Sequence, residues 1–135
     1  MNELKADNQT SGKRYKALIY VVDDEPMLLE LASMILESEG YTTETFRSPE
    51  SALRAFAAAQ PPPALLITDY AMHTMTGLEL LEACRRLQPK QKILLLTGTV
   101  GPDVCENAPV KPDRFLAKPY DAKELLDVVK AMLAD

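Results

Sequence analysis

The sequence lacks the features on which several protein classes depend. Its two cysteines, Cys84 and Cys105, offer neither a disulfide framework nor the spacing of a metal site, so we expect two reduced thiols. No apolar run reaches the ~18 residues of a membrane span, and residues 1–15 have no signal-peptide core, which predicts a cytoplasmic chain without membrane insertion. The net charge of -5 lacks the basic excess of a nucleic-acid-binding surface, so no direct nucleic-acid partner is expected.

The chain does contain enough apolar material for one folded domain. Apolar residues make up 47% of the 135 residues, which argues against disorder throughout and fits a single core. Residues 1–15 are polar and aperiodic, and they are expected to form a flexible leader. Residues 16–135 remain as the predicted domain.

Apolar runs of strand length alternate with helical patterns along this domain. Strands are predicted over residues 17–22, 41–46, 64–68, 92–98 and 114–118, and helices over 26–40, 49–59, 77–87 and 121–134. Continuous apolar strands that alternate with helices indicate an α/β fold, with a doubly wound parallel sheet covered on both faces. Ligands of such sheets bind at the carboxyl ends of the strands.

Polar side chains stand at those carboxyl ends. Asp23 and Asp24 follow the first strand, Asp69 follows the third, Thr97 ends the fourth and Lys118 ends the fifth. Three carboxylates brought together repel one another and need a cation, and oxygen ligands suit Mg²⁺. Together with the lysine and the hydroxyl they would receive a phosphoryl group, and Asp69 could act as the nucleophile that forms an acyl phosphate.

Four motifs, VVDDE, LLITDYAMHTMTG, ILLLTG and FLAKP, follow one another in the order and at the strand ends just described. They resemble the receiver domain of bacterial two-component response regulators over residues 17–134. The resemblance implies a flavodoxin-like receiver fold with five parallel strands. It implies that Asp69 accepts a phosphoryl group, and that Mg²⁺ (or Mn²⁺) is bound by Asp23, Asp24, Asp69 and the backbone carbonyl of Ala71.

The resemblance also implies a switch and a set of partners. Lys118 would pair with the phosphoryl group, Thr97 would move to hydrogen-bond it, and Phe115 would turn inward when Thr97 moves. Gly98 leaves space beside the phosphoryl oxygens, and Lys118–Pro119 is a candidate cis peptide. The expected donor is a sensor histidine kinase or a histidine phosphotransfer protein, and the downstream partner is an unknown protein. Such a chain is a signalling receiver and not an enzyme, apart from its own phosphorylation and dephosphorylation.

Two stretches depart from the family pattern. His73 stands where the family usually carries a proline, which should loosen its loop, and a lone loop histidine is more often neither a phosphorelay residue nor a metal ligand. Residues 99–115 hold prolines at 102, 109 and 112, so at most a short fourth helix over 103–107 is expected, followed by an irregular segment. The output face of the domain should therefore be atypical.

The same residues leave other interpretations open. A degenerate receiver would bind partners without phosphorylation, although such proteins usually lack the acceptor aspartate or the lysine, and both are present here. A phosphatase with an aspartate nucleophile would need a second acid two residues further on, where Ala71 stands. The last predicted helix runs to residue 134, so no effector domain is expected within these 135 residues. We therefore expect a stand-alone regulator, a phosphorelay intermediate or a receiver cut from a larger protein.

Overall fold

Nine strands and helices lie in the part of the chain that the structure, a computed structural model, describes. That part comprises residues 17–98 and 105–134, and the expected leader lies outside it. The strands are β1 (Leu18–Val22), β2 (Thr42–Phe46), β3 (Leu65–Asp69), β4 (Ile93–Thr97) and β5 (Arg114–Ala117). The helices are α1 (Pro26–Ser38), α2 (Pro49–Ala58), α3 (Gly77–Leu87) and α4 (Ala122–Leu133). All nine were predicted from the sequence to within two residues at either end.

The five strands form one parallel sheet in the order β2-β1-β3-β4-β5. The chain runs from β1 outward to β2, returns to β3 on the other side of β1, and continues to β4 and β5. The strand order therefore reverses between β1 and β3, which is the point at which doubly wound sheets bind ligands. The topology confirms the predicted doubly wound, flavodoxin-like fold. Across the described residues, no helix has the length and apolarity of a membrane span.

Both faces of the sheet are covered because successive residues of a strand point to opposite sides. On one face, strand residues such as Val21 and Ile67 pack with α1 and α4. On the other face, Tyr20 and Leu66 pack with α2 and α3. Strands β3 and β4 are buried along their whole length, which explains why they appear as continuous apolar runs in the sequence. Both cysteines are free and buried.

Capping residues determine where the helices begin. The Ser48 hydroxyl accepts a hydrogen bond from the first turn of α2, and Thr76 and Asp121 open α3 and α4 with reciprocal capping boxes. Helix α1 begins at Pro26, whose fixed φ suits a first helical position. Because α1 starts four residues after β1 ends, the acidic pair Asp23 and Asp24 is held in a short connection at the carboxyl edge of the sheet.

The segment between β4 and β5 has no α-helix in its described residues, 105–113. Prolines at 109 and 112 remove backbone donors and clash with the preceding turn of a helix, which accounts for the irregular path. The irregular segment was predicted from these prolines. The short helix predicted over 103–107 falls partly on residues outside the described ones and stays a prediction.

Side-chain contacts fasten this segment to the rest of the domain. Three nitrogens of Arg85 in α3 donate hydrogen bonds, to the Gln91 carbonyl at 2.7 Å, the Lys111 carbonyl at 3.2 Å and the Asp113 carboxylate at 2.8 Å. The same Asp113 oxygen accepts the backbone N–H of Ile93, the first residue of β4, at 2.7 Å. We call these five residues the Arg85 clamp. It supplies polar partners for a stretch that cannot form a helical ladder.

Candidate functional site

The carboxyl end of β1 delivers a buried carboxylate. Asp23 is 3% exposed, and its backbone N–H extends the sheet by donating to the Phe46 carbonyl at 3.1 Å. Its Oδ1 accepts the backbone N–H of Glu25 at 2.9 Å, which orients the carboxyl group. The next residue, Asp24, is half-buried. The apolar strand is followed directly by acids because the chain leaves the buried sheet at this point. This is the edge of the sheet at which ligands bind.

The carboxyl end of β3 delivers a second buried carboxylate, Asp69, which is 7% exposed. The backbone around it is fixed by two neighbours. The Thr68 hydroxyl donates to the Asp69 carbonyl at 3.0 Å, and a Cβ placed on Gly77 would lie 2.3 Å from that same carbonyl oxygen. Helix α3 can therefore start directly against the Asp69 backbone because its first residue is a glycine.

Lys118, just beyond β5, joins the two buried acids. Its Nζ donates to Asp69 Oδ1 at 3.1 Å and to Asp23 Oδ2 at 3.4 Å, and its backbone N–H donates to the Thr97 carbonyl at 2.7 Å. The peptide bond between Lys118 and Pro119 is cis, which confirms that expectation. The structure thus brings together Asp23, Asp69 and Lys118, which are separated by up to 95 positions in the chain.

Electrostatics at this edge follow from burial and from the close charges. Burial raises the pKa of the Asp69 carboxyl above its ordinary value, Lys118 opposes that change, and the nearby Asp23 adds to it. For Lys118, burial acts to lower the pKa, but Asp23 and Asp69 outweigh it and hold the pKa above its ordinary value. Lys118 is therefore a firmly charged ammonium group beside two carboxylates at neutral pH.

One carboxylate oxygen from each of Asp23, Asp24 and Asp69 lies within 4.8 Å of the others. The donor set fits a hard divalent cation, because three carboxylates offer only oxygen ligands and Lys118 neutralises just one of the three charges. Ala71, whose carbonyl is the fourth expected ligand, lies two residues beyond Asp69 in the exposed part of the β3–α3 loop. Its role stays a prediction.

The two expected switch residues lie on the neighbouring strands. Thr97 ends β4, is buried, and pairs in register with Ala117 of β5. Phe115 pairs with Leu95, two residues earlier along the same two strands, and is half-buried. Thr97 is coupled to the acidic edge through its backbone bond to Lys118. Among the described residues, Phe115 belongs to neither of the two hydrophobic core clusters, so its ring lies at the margin of the packed interior.

Two further side chains reach the site that sequence reasoning did not assign to it. His73 Nδ1 lies 3.1 Å from Asp24 Oδ2. The Tyr120 phenol is close enough to the charged groups to sense them: burial raises its pKa, Lys118 lowers it, and Asp23 and Asp69 raise it further. In the sequence, Tyr120 could have been assigned to the site from its position, which is two residues after Lys118 and close to the end of the fifth strand.

The loop that carries His73 is tethered in two places. His73 contacts Asp24 after β1, and the Thr74 hydroxyl donates to the Glu50 carboxylate of α2. The loosening expected from the missing proline stays a prediction, but these contacts give the loop two other anchors.

An apolar surface of α1 borders the acidic edge. Met27 and Met34 are 81% and 61% exposed, and Leu28 and Leu31 between them are also exposed. Leu28 and Leu31 line a cavity of about 420 Å³ together with Gly98, Lys118, Pro119 and Tyr120. We call the four exposed side chains of α1 the α1 apolar face. Exposed apolar side chains grouped in this way are typical of protein-binding surfaces.

Comparisons with known proteins agree with this geometry. Residues 19–130 match the model of the response regulator receiver domain. The chain is 36% identical over 121 residues to the photosynthetic apparatus regulatory protein RegA of Cereibacter sphaeroides, covering 88% of this chain and 62% of RegA. It is 32% identical over 116 residues to the probable transcriptional regulatory protein TcrX of Mycobacterium tuberculosis, covering 85% of this chain and 49% of TcrX.

A solved structure shows the same likeness. The response regulator protein TrrA of Thermotoga maritima, in complex with Mg(2+)-BeF, superimposes with a TM-score of 0.78 at 32% identity, covering 87% of this chain and 100% of that one. The chain spans between 25% and 62% of the length of the curated relatives it matches.

Proposed function

The chain belongs to the family of response regulator receiver domains, and from that premise we propose that it is a phospho-accepting switch of a two-component phosphorelay. Receiver domains are signalling modules and not enzymes in the ordinary sense. The observation that carries the proposal is the pairing of Lys118 Nζ with Asp69 Oδ1 at 3.1 Å, beside the two further carboxylates Asp23 and Asp24. The proposed receiver unit is residues 16–135, acting in the cytoplasm.

Asp69 is the proposed acceptor. One of its carboxylate oxygens attacks the phosphorus of a phosphohistidine, an O–P bond forms as the N–P bond breaks, and the imidazole leaves with its electron pair and takes up a proton. Lys118 is placed to pair with the incoming phosphoryl oxygens, and its raised pKa keeps it charged while it does so. The Thr97 hydroxyl then donates a hydrogen bond to the phosphoryl group.

The proposed metal ligands are the carboxylates of Asp23, Asp24 and Asp69 and the carbonyl of Ala71. A bound Mg²⁺ (or Mn²⁺) ion would supply positive charge that offsets the phosphoryl oxygens and the three acids. Receiver domains bind Mg²⁺ at this acidic pocket, and the oxygen-only donor set of the described residues fits the same ion.

Phosphorylation is proposed to shift an equilibrium between two arrangements of Thr97 and Phe115. The Thr97 carbonyl accepts the Lys118 N–H, so a movement of Thr97 toward the phosphoryl group and the position of Lys118 depend on each other. Phe115, half-buried and two residues before the end of the same pair of strands, is the aromatic group that would follow. The result would be a changed partner-binding face around β5.

The proposed phosphodonor, a sensor histidine kinase or a histidine phosphotransfer protein, docks on the α1 apolar face. The donor must bring its phosphorus within bonding distance of Asp69, so it must cover the carboxyl edge of the sheet. The α1 apolar face borders that edge, and the cavity lined by Leu28 and Leu31 reaches Lys118. The proposed downstream partner is a further protein.

The test of the acceptor is intact mass after incubation with a small-molecule phosphodonor, with and without Mg²⁺. Wild type should gain one phosphoryl group only with the ion, and Asp69→Asn should gain none. Labelling of the variant to the wild-type level would refute the assignment of Asp69. A wild-type protein that stays unlabelled under every condition would instead favour a degenerate receiver that binds partners without phosphorylation, an alternative supported by the unusual segment at 105–113.

The test of the docking surface compares labelling by a protein phosphodonor, which must dock, with labelling by a small molecule, which need not. Leu31→Asp should slow labelling by a phosphorylated histidine phosphotransfer domain at least about tenfold, which corresponds to ~1.4 kcal/mol of lost transition-state binding. Labelling by the small molecule should be unchanged, because Leu31 is an exposed residue of α1 and is none of the proposed acceptor, lysine or metal-binding residues. Leu87, another exposed leucine but on α3, supplies the matched control as Leu87→Asp. Equal slowing by both variants would place the docking surface elsewhere.

A further inference from the structure

The β3–α3 loop places the only histidine of the chain against an expected metal ligand. His73 Nδ1 lies 3.1 Å from Asp24 Oδ2, with the ring 93% exposed and Asp24 more enclosed. A polar contact this exposed contributes little to stability. The contact is therefore more important for metal binding than for stability, because His73 stands beside the oxygen of Asp24 that would bind the ion.

The distance between the two atoms is that of two ligands on one ion. Neighbouring ligands on an octahedral cation, with bonds of about 2.1 Å at right angles, are separated by about 3.0 Å. The imidazole nitrogen and the carboxylate oxygen already stand at that separation. Since the ring is exposed, it can turn at little packing cost, and with its proton carried on Nε2 the Nδ1 lone pair faces an ion held by Asp24.

The position of His73 along the loop is also that of a ligand. Asp69 lies four residues earlier and Ala71 two residues earlier, so the same loop would present a carboxylate, a carbonyl and an imidazole in turn. The tether between Thr74 and Glu50 holds the loop beyond His73 against α2. The ring is thus carried on a segment that is anchored on both sides, at Asp69 and at Thr74.

We propose that His73 supplies a nitrogen ligand to the divalent ion at Asp23, Asp24 and Asp69, which makes this a mixed oxygen–nitrogen site. The inference rests on the proposed function, since it requires the ion at the acidic edge. Mg²⁺ takes oxygen ligands, whereas imidazole suits the later first-row transition ions, which lie above Mn²⁺ in the order of affinities. The site therefore binds Co²⁺ more tightly, relative to Mg²⁺, than its carboxylates alone would.

The experiment uses untagged protein, so that His73 is the only imidazole present. Mn²⁺ is bound to the protein, and pulsed electron paramagnetic resonance measures coupling between the manganese electrons and imidazole nitrogen. Wild type should show the coupling. His73→Ala and His73→Gln should lose it, the second while keeping a side chain that can donate to Asp24. Thr74→Ala, which removes the loop tether but keeps the histidine, should retain it.

Affinity gives a second readout. The Co²⁺ and Mg²⁺ dissociation constants are measured by displacement of bound Mn²⁺. His73→Ala should weaken Co²⁺ binding about tenfold and leave Mg²⁺ binding within about twofold, because only the transition ion gains from a nitrogen ligand. Asp24→Asn should weaken the binding of both ions.

The outcomes separate this inference from the proposed function. Saturable Mn²⁺ binding that Asp24→Asn weakens, but without nitrogen coupling, would overturn the role of His73 and leave the acidic site standing. An equal change of Co²⁺ and Mg²⁺ affinity in His73→Ala would also overturn it, since the histidine would then act only as a competing partner of Asp24. Absence of any Mn²⁺ binding in wild type would refute the metal site and this inference with it.

Discussion

Replacement of Gly77 by alanine should destabilise the domain through the Asp69 backbone. A Cβ at Gly77 would lie 2.3 Å from the Asp69 carbonyl oxygen and 2.7 Å from Leu95 Cδ1. The leucine methyl can turn away, but the carbonyl belongs to a fully buried strand and can move only with β3. Overpacking in a core costs about 1–3 kcal/mol, and a clash with buried backbone belongs at the upper end, about 3 kcal/mol. For a domain of this size, that corresponds to a fall in Tm of about 10 °C.

Gly98 provides the matched control. An added Cβ there meets no described atom within 4 Å, the residue is exposed, and its φ lies outside the left-handed region. Gly98→Ala should therefore leave the free energy of unfolding within about 0.5 kcal/mol of wild type. Both variants are measured by urea unfolding and by thermal unfolding in the same buffer, without phosphodonor.

The reasoning would be refuted by a Gly77→Ala protein whose stability lies within about 0.5 kcal/mol of wild type, or by a loss in Gly98→Ala of similar size. Phosphoryl labelling supplies an independent check. Folded Gly77→Ala, assayed well below its Tm, should accept the phosphoryl group more slowly, because the shift of the Asp69 carbonyl also moves its carboxylate relative to Lys118.

Three further predictions concern the charged groups. Lys118→Ala should still be labelled in part by a small-molecule donor but should lose the coupled movement of Thr97. The mass spectrum should then show labelling, while the amide chemical-shift changes that accompany labelling of wild type should be absent. Asp69→Asn should raise the free energy of unfolding at about pH 7, because burial raises the pKa of Asp69 in the folded state and its ionisation therefore penalises folding. That gain should shrink as the pH falls and vanish below the ordinary carboxyl value of 3.8, where the group is protonated in both states; urea unfolding across this range measures it. Arg85→Ala should lower the free energy of unfolding by about 2 kcal/mol, because it removes three hydrogen bonds, one of them to the charged Asp113. It should also speed amide hydrogen exchange in residues 105–113.

Most of the fold could be predicted because the sheet is buried on both faces. Strands such as β3 and β4 must then be apolar throughout, and they stop abruptly at Asp69 and Thr97, where the chain meets solvent or ligand. Strand β2 lies at the edge, is largely exposed, and was recognised by its alternating pattern and β-branched residues instead. The starts of α2 and α4 could be predicted from Ser48 and Asp121, because these residue types are preferred as N-caps.

The meeting of the site residues was predictable for a geometric reason. Parallel strands all end at the same edge, so polar residues at their carboxyl ends converge whatever their separation in the chain. What could not be predicted is how exposed side chains pair across loops. The contacts of His73 with Asp24, and of Thr74 with Glu50, depend on rotamers in a loop without periodicity, and no spacing rule brings those residues together.

The Arg85 clamp suggests where the switch can move and where it cannot. Asp113 binds the N–H of Ile93, so the clamp joins the beginnings of β4 and β5 to α3 at the edge of the sheet opposite the acidic site. Of the two switch residues, Thr97 is the last residue of β4, at the opposite end from the clamp, whereas Phe115 is the second residue of β5, two residues beyond Asp113. A shift of Thr97 is then confined to the carboxyl halves of the two strands, because their starts are held by an ion pair and a buried N–H. The output of this receiver should accordingly be read near Thr97 and Lys118, and the proline-rich segment at 105–113 should act as a fixed support.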